Sequence, residues 1–330
     1  MNLHLVMTTI NNPTEVVPEF ARTGVFDQIT VVGDRKTPSG WESPGVNFLP
    51  AADHASVSPE LASELRWNHY SRKMIGYLHA IKSGATMIYD TDDDNYPEPW
   101  FSAPVGPPTE VNVVEGDQGF VNVYREFSDE HIWPRGLPLR LITNHSGFSP
   151  RRKTLHNEPA IIQGLANGSP DVDAIYRLVG LSEEVTFQRR LPVLLRPGTV
   201  SPLNSQNTWF SRAVFPLLYL PSTVTFRFTD ILRGIIAQPI CWKFGHKVLF
   251  TEANVRQVRN PHDPMKDFVD EIPMFLQVEE VLGLARASAQ SAKTVSSALV
   301  STYQSLERAK IVEEGEVALL MTWIAELESS

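Results

Sequence analysis

A chain of 330 residues, 42% of them hydrophobic, is long enough for a large core, either one wide α/β domain with an appendage or two domains. Its 29 basic against 38 acidic residues give a net charge of −9, which argues against nucleic acid as a partner, and a lone cysteine, Cys241, excludes a disulfide framework and any cysteine-rich zinc site. No apolar run approaches membrane-spanning length and the first residues lack a signal peptide's basic start, so the expectation is a soluble, cytoplasmic protein.

Residues 3–9 predict a first strand ending in two hydroxyl side chains, Thr8 and Thr9. Asn12-Pro13 predicts a helix start and Gly24 its stop. Residues 28–32 predict a second strand, broken at Gly33-Asp34. Strand, helix, strand in about thirty residues is a βαβ unit. It places Thr8, Thr9 and Asp34 on one rim of a parallel sheet, where hydroxyls and a carboxylate suit a ribose or a pyrimidine edge. Ordering the turn before Pro38 is the simpler role for Asp34.

Ser58-Pro59 opens another helix, and a longer one covers residues 70–83 with Met74, Ile75, Leu78 and Ile81 facing the sheet. Arg72 and Lys73 lie at its start, where free backbone N–H groups already favour an anion. A solvated basic pair is the plainer alternative. This helix feeds the stretch around which the chain is organised: a short strand over residues 85–89, then Asp90-Thr91-Asp92-Asp93-Asp94-Asn95. Side chains two apart on an extended segment point the same way, so Asp92 and Asp94, or Asp90 and Asp92, can converge. Carboxylates packed so closely raise one another's pKa unless a cation sits between them. Oxygen ligands select Mg²⁺, Mn²⁺ or Ca²⁺, and in open α/β sheets ligands collect at the carboxyl ends of strands. An acidic turn that merely caps the strand competes with this reading. An EF-hand loop starting at Asp90 fails, because Asn95 stands where glycine is wanted and Phe101 where a bidentate glutamate is required. An aspartyl phosphatase lacks its later lysine and acidic pair.

From Trp100 to Pro159 the sequence predicts a long irregular insertion with some strand content, marked by Pro104-Val105-Gly106-Pro107-Pro108, an acidic stretch to Asp117, and Pro134-Arg135-Gly136-Leu137-Pro138. Order returns at Ala160-Ile161-Ile162. A polar, glycine-containing loop over residues 163–173 follows, with Asn167, Asp171 and Asp173, and leads into residues 174–178. Asp171 and Asp173 are placed to bond sugar hydroxyls or to cap the next segment. Residues 201–208, with Asn204, are rich in amides and hydroxyls, a composition suited to carbohydrate. Thr229 or Asp230 is a natural N-cap for an apolar helix through Trp242, and Asp230 is also a candidate general base. Residues 247–251 predict a late strand. Arg259-Asn260-Pro261-His262-Asp263-Pro264 is a rigid polar turn whose histidine reads as a surface residue. After Met265, residues 275–289 and two further amphipathic runs predict a helical appendage for packing or dimerisation.

Val32-Gly33-Asp34-Arg35-Lys36-Thr37-Pro38, Ser71-Arg72-Lys73-Met74-Ile75-Gly76-Tyr77-Leu78, Ile88-Tyr89-Asp90-Thr91-Asp92-Asp93-Asp94-Asn95, residues 167–176, Arg227-Phe228-Thr229-Asp230-Ile231-Leu232-Arg233-Gly234 and Arg256-Gln257-Val258-Arg259-Asn260-Pro261-His262 resemble, in this order, the STELLO family of plant Golgi glycosyltransferases. A looser similarity runs to the reversibly glycosylated polypeptides, the UDP-arabinopyranose mutases. The resemblance covers roughly residues 29–270; it does not include the plant members' membrane anchor or the C-terminal helices.

What the resemblance implies is an α/β, GT-A-like (Rossmann-type) nucleotide-sugar domain with a mixed central sheet over residues 1–264. Residues 1–100 form its nucleotide-binding half, residues 160–264 its acceptor half, and residues 265–330 a helical extension through which the chain could form homo-oligomers. The implied chemistry is metal-dependent transfer from a nucleoside-diphosphate sugar, UDP-linked, to an acceptor hydroxyl. Asp92 and Asp94, joined by His262, would hold Mn²⁺ or Mg²⁺. Thr8, Thr9, Asp34, Arg72, Lys73 and Asp93 would hold the donor, and Asn167, Asp171, Asp173 and Asn204 the substrate. Asp230 would be the base of an inverting reaction. A UDP-sugar mutase and a non-catalytic nucleotide-sugar scaffold are the alternatives.

Overall fold

Alternation of apolar side chains along the first strand sets the frame. In the computed structural model, which describes residues 1–104, 106, 110–114, 119–143, 151–181, 184–260 and 262–329, strand β1 (Leu3–Thr8) turns Leu3, Leu5 and Met7 to one face of the sheet and Val6 to the other. Helix α1 (Val16–Arg22) covers the first face with Val16, Val17 and Phe20. Strands β2 (Gln28–Val32) and β3 (Asn47–Leu49) add in parallel. After two short helices, α2 (His54–Val57) and α3 (Pro59–Glu64), helix α4 (Lys73–Lys82) packs Met74, Ile75 and Leu78 on the second face and delivers β4 (Met87–Thr91) parallel to β1. The approach of α4 needs a glycine: a Cβ on Gly76 would lie 2.5 Å from Val32 Cγ2 and 2.6 Å from Val6 Cγ1.

The remaining strands are β5 (Asn95–Pro97), β6 (Val111–Val114), β7 (Gly119–Phe120), β8 (Arg151–Lys153), β9 (Ile161–Gly168), β10 (Val193–Leu195), β11 (Thr199–Val200), β12 (Asn207–Ser211) and β13 (Val248–Gln257). Among the described residues the main sheet runs β3-β2-β1-β4-β12-β9-β13-β10-β6-β8, with β5 paired to β13, and β7 pairs with β11 separately. Its first four strands are parallel; β12 is antiparallel to both β4 and β9, and β13 is parallel to β9. Helices α5 (Ala174–Leu178), α6 (Thr229–Lys243), α7 (Pro264–Ala289), α8 (Val295–Arg308) and α9 (Glu316–Glu328) complete the chain. This is a mixed α/β architecture followed by helices, as the motifs imply. No helix among the described residues is long and apolar enough to cross a membrane.

Several local expectations change. The first helix starts at Val16 rather than at Asn12-Pro13, because the intervening loop is pinned to the acidic turn: Asn11 Nδ2 donates to Asp93 Oδ2 at 3.1 Å and Thr14 Oγ1 to the Asp93 carbonyl at 3.3 Å. The central strand runs two residues further than predicted, so Asp90 and Thr91 lie inside the sheet. The predicted loop from Gln163 is instead β9, a fully buried strand. Its polar side chains are matched across the sheet, with Gln163 Nε2 donating to Asn204 Oδ1 at 2.9 Å and Thr208 Oγ1 to Gln163 Oε1 at 2.9 Å. Gly164 leaves room for Asn207, whose Nδ2 would sit 2.3 Å from a Cβ there. The N-cap of α6 is Phe228, without a side-chain bond, so neither Thr229 nor Asp230 caps it. Helix α7 begins at Pro264, where Asp263 accepts from Met265 N at 3.0 Å. The acidic stretch to Asp117 ends outside the described residues, as do Val105, Pro107, Pro108 and Pro261.

Besides its apolar face and bonds through Glu326 and Trp323, the last helix is fastened by one fully buried carboxylate. Glu316, fully buried in the first turn of α9, accepts from Ser222 N at 3.0 Å, Thr223 N at 2.8 Å and the Tyr219 hydroxyl.

Candidate functional site

The carboxyl ends of β1, β4 and β13 open onto a cavity of about 560 Å³. Thr8, Thr9, Asp34, His69 and Arg72 line one wall; Asp92, Asp93 and Asp94 lie at its centre; Arg135, Asp171, Arg227 and Asp230 form the facing wall, with Arg259, His262 and Phe226 also around it. It is where parallel strands expose their last residues, the position at which open α/β sheets bind ligands.

The acidic residues at the end of β4 are not equivalent. Asp90 is fully buried and takes two cations, Lys73 Nζ at 2.6 Å and Arg233 Nη2 at 2.8 Å. Burial opposes its ionisation, but these two partners outweigh it and hold its carboxyl below the usual range. Asp92 accepts from the Tyr70 hydroxyl at 2.6 Å and from Lys73 Nζ at 3.2 Å, and burial raises its pKa. Asp93 accepts from Thr9 Oγ1 at 2.5 Å and from Asn11 Nδ2 at 3.1 Å. Among the described residues the Asp94 carboxylate accepts only from Gln257 Nε2, at 3.1 Å, and its Oδ1 is buried with no hydrogen-bond partner among them. Burial, then Asp92 and Asp93, push the Asp94 pKa up to about 7.

The facing wall is built by Arg135, a residue of the irregular insertion. Its Nε and Nη2 reach Asp171 at 2.7 and 2.9 Å, and its Nη2 and Nη1 reach Asp230 at 2.9 and 3.1 Å, all three side chains being nearly buried. Asn204 supports Asp171 from behind at 2.9 Å. Helix α7 supplies the next layer. Glu271, fully buried, accepts from Arg227 Nη2 at 2.7 Å, and Asp267 accepts from Arg259 Nη2 at 2.7 Å. Arg259 keeps a buried Nε without a partner, and its pKa falls to about 10 through burial and then through Arg177 and Arg227.

The structure thus gathers Thr8, Thr9, Asp34, Arg72, Asp92, Asp93, Asp94, Asp171, Asp230 and His262 around one cavity, whereas Lys73, Asn167, Asp173 and Asn204 stand behind its lining. Arg72 is almost fully buried, its Nη2 donating to the Ala62 and Leu65 carbonyls at 2.9 and 2.7 Å with its guanidinium 3.4 Å above the Trp67 ring. Asp173 caps α5 through Tyr176 N at 2.9 Å and accepts from Trp133 Nε1 at 2.7 Å. Asn167 bridges Glu98 Oε1 and Phe187 N, each at 3.0 Å. His262 is exposed, with Nδ1 3.5 Å from Asp267 Oδ1. Among the described residues no three His, Cys, Asp or Glu side chains already converge as a metal site. Sequence reading missed Arg135, Arg227, Gln257 and Arg259. Gln257 and Arg259 lie inside the quoted motif of residues 256–262, and Arg135 lay between two prolines, a context that signals only a turn.

No protein-family model matches the chain. It is similar to two Arabidopsis thaliana proteins, each named a "Probable glycosyltransferase": STELLO2, at 28% identity over 263 residues, 73% of this chain and 34% of that one, and STELLO1, at 29% identity over 263 residues, 73% of this chain and 33% of that one. The STELLO likeness carried by the motifs is borne out. The chain spans about a third of the length of these STELLO relatives. Among solved structures it is similar to glucosyl-3-phosphoglycerate synthase from Mycobacterium tuberculosis in complex with Mn²⁺, UDP-glucose and phosphoglyceric acid, at 11% identity and a TM-score of 0.41 over 88% of this chain and 80% of that one. The same synthase with Mg²⁺ and UDP gives 11% identity and a TM-score of 0.40 over the same shares. Scores of this size leave the site to be understood from its own residues.

Proposed function

We propose that this chain is a metal-dependent glycosyltransferase that moves a sugar from a uridine-diphosphate donor to an acceptor hydroxyl. The observation that carries the reading is the unequal sharing of cations at the end of β4. Lys73 and Arg233 both serve Asp90, while Asp93 and Asp94 bond only neutral groups and one Asp94 oxygen bonds nothing. Such a set of hard oxygen donors in a cavity fits Mn²⁺ or Mg²⁺. The ion, when bound, would neutralise the departing diphosphate, an effect of several kcal/mol on the transition state. The similarity of 263 residues to the STELLO proteins supports the same class of reaction.

In this reading Asp92 and Asp94 hold the ion, and Asp93, fixed by Thr9 and Asn11, shapes the turn beside it. Thr8, Thr9 and Asp34 receive the nucleoside. Arg259, with its free Nε, offers a donor to a phosphate oxygen, while Arg72 lines the cavity with its guanidinium already engaged and Lys73 supports it from behind. Asp230 takes the acceptor proton in an inverting displacement, for which its bonds to Arg135 must loosen. Calorimetry tests the centre of the proposal: UDP binding is expected to require Mn²⁺ or Mg²⁺, and Asp94→Ala to abolish that requirement together with the affinity. Unchanged UDP and Mn²⁺ affinity in Asp94→Ala refutes it. NMR of the UDP-sugar with enzyme alone separates transfer from a mutase, which would rearrange the donor without acceptor.

A further inference from the structure

Phe226 lines the cavity, yet its ring is 52% exposed. The turn that carries it, Phe226–Phe228, is fixed on both sides. Thr225 Oγ1 donates to the Asp270 carbonyl at 2.6 Å, Arg227 is clamped by Glu271 at 2.7 Å, and Phe228 is fully buried. The ring therefore cannot fold into the core, and Tyr70 meets it edge-on with centroids 5.6 Å apart. Helix α6 starts directly after this turn and brings Asp230 to the same cavity. A nucleobase also stacks on an aromatic face, so what assigns this ring to the acceptor is its place, directly before the helix that carries Asp230 and on a different segment from Thr8, Thr9 and Asp34.

The second observation is the amide content of the same lining. Asn68, Gln206, Gln257 and Asn260 all line this space; Gln206 donates to Gln257 at 2.6 Å and Gln257 to Asp94 at 3.1 Å, so Asn68 and Asn260 are the amides that can turn to a ligand. Asn68 holds a left-handed backbone, φ 53°, a conformation that asparagine tolerates better than most residues and that recurs where a side chain must be presented. Amides offer a donor and an acceptor together, which matches hydroxyl groups. A fixed aromatic face takes an apolar C–H surface. A pyranose ring presents both, hydroxyls at its edge and C–H bonds on its face. A phosphate or carboxylate would gain nothing from the ring, and an acyl chain would find too few apolar neighbours in a lining so rich in charge.

We propose that Phe226 is a stacking platform for the acceptor, and that the acceptor is a saccharide whose ring lies on this phenyl face. The inference rests on the glycosyltransferase reading and names its acceptor class. Saturation-transfer NMR with UDP and Mn²⁺ present, using methyl α- and β-pyranosides and short disaccharides as probes, reads saccharide binding without turnover. UDP release from UDP-sugars with and without the same probes reads turnover. At least one saccharide is expected to show C–H saturation and to accelerate UDP release. Phe226→Ala is expected to raise that saccharide's KM about three- to tenfold, with a smaller change in donor KM, and Phe226→Trp to stay within about twofold of the native value. Saccharides that neither bind nor accelerate while UDP and Mn²⁺ still bind overturn the platform alone. An acceptor KM unmoved in Phe226→Ala, or a tryptophan variant as impaired as the alanine one, overturns it too. Failure of UDP and Mn²⁺ to bind the native chain removes the glycosyltransferase reading and the platform with it.

Discussion

Arg135→Met is the most exacting test of how the wall carrying Asp171 and Asp230 is held. The guanidinium makes two hydrogen bonds to Asp171 and two to Asp230, with side-chain exposures of only 6%, 9% and 10% for the three residues. Methionine fills much of the same volume but leaves two buried carboxylates without a counter-ion, and breaking a buried pair in this way costs about 3–5 kcal/mol. The pH dependence has a definite sign. In the native chain Arg135 outweighs burial and holds Asp171 below the usual carboxylate range. That contribution is complete above the unfolded value of about 3.9 and is lost only as pH falls through the folded value. In the variant, burial and the neighbouring Asp230 raise Asp171 instead, so folding takes up a proton and the variant gains stability as pH falls from about 8 towards 5. Urea denaturation at both pH values reads the difference. A deficit of about 3–5 kcal/mol at the higher pH that narrows at the lower one is expected. A deficit below about 1 kcal/mol, or one that does not change with pH, would refute the assignment of Arg135 as the shared counter-ion.

Asp90→Asn leaves Lys73 and Arg233 buried against a neutral group, so a loss of about 3–5 kcal/mol is expected in denaturant melts. Because the Asp90 carboxyl is held below its ordinary 3.8, this deficit should stay constant between about pH 5 and 8, unlike that of Arg135→Met. Glu316→Ala strips the acceptor from Ser222 N and Thr223 N and leaves the Tyr219 hydroxyl only the residue's backbone carbonyl, at 3.2 Å, costing about 2–5 kcal/mol for the buried donors left behind. Hydrogen exchange should then rise across α9 before the rest of the fold; uniform protection would show that α9 is held by its apolar face alone.

The legibility of this chain follows how local each signal is. Residues 28–32 and the Ser58 cap stand where strand composition and N-cap chemistry put them, since both depend on neighbours in sequence. The acidic strand end was legible for the same reason: four carboxylates in five positions have few structural explanations. Strand β9 was not, because Gln163, Gly164 and Asn167 look like loop residues until Asn204, Asn207 and Thr208 from a distant segment satisfy them. The role of α7 was hidden likewise. Amphipathic spacing describes the face it packs, but the carboxylates it lends to Arg227 and Arg259 show only when the helix is laid beside the cavity. Arg135 illustrates the limit, for its sequence neighbours report a turn and its partners lie 36 and 95 residues away.

Four aspartates within five positions could be stabilised in two ways: with protein cations spread over them, or with one neutralised and the others left for a ligand. A purely structural turn favours the first, since each unpaired buried carboxylate costs stability. This chain follows the second. Both buried cations converge on Asp90, the carboxylate that lies inside the sheet and cannot reach a ligand. Lys73 reaches Asp92 only at 3.2 Å, and Arg259, close enough to influence Asp94, is turned to Asp267 at 2.7 Å. Helix α7 thereby engages a cation that already lowers the Asp94 pKa. Burial, and then the charges of Asp92 and Asp93, push that pKa up to about 7, and Arg259 offsets this only in part. Under the proposed function, a divalent ion would bring positive charge from outside and relieve Asp92 and Asp94 together, which would give metal binding at this turn its driving force.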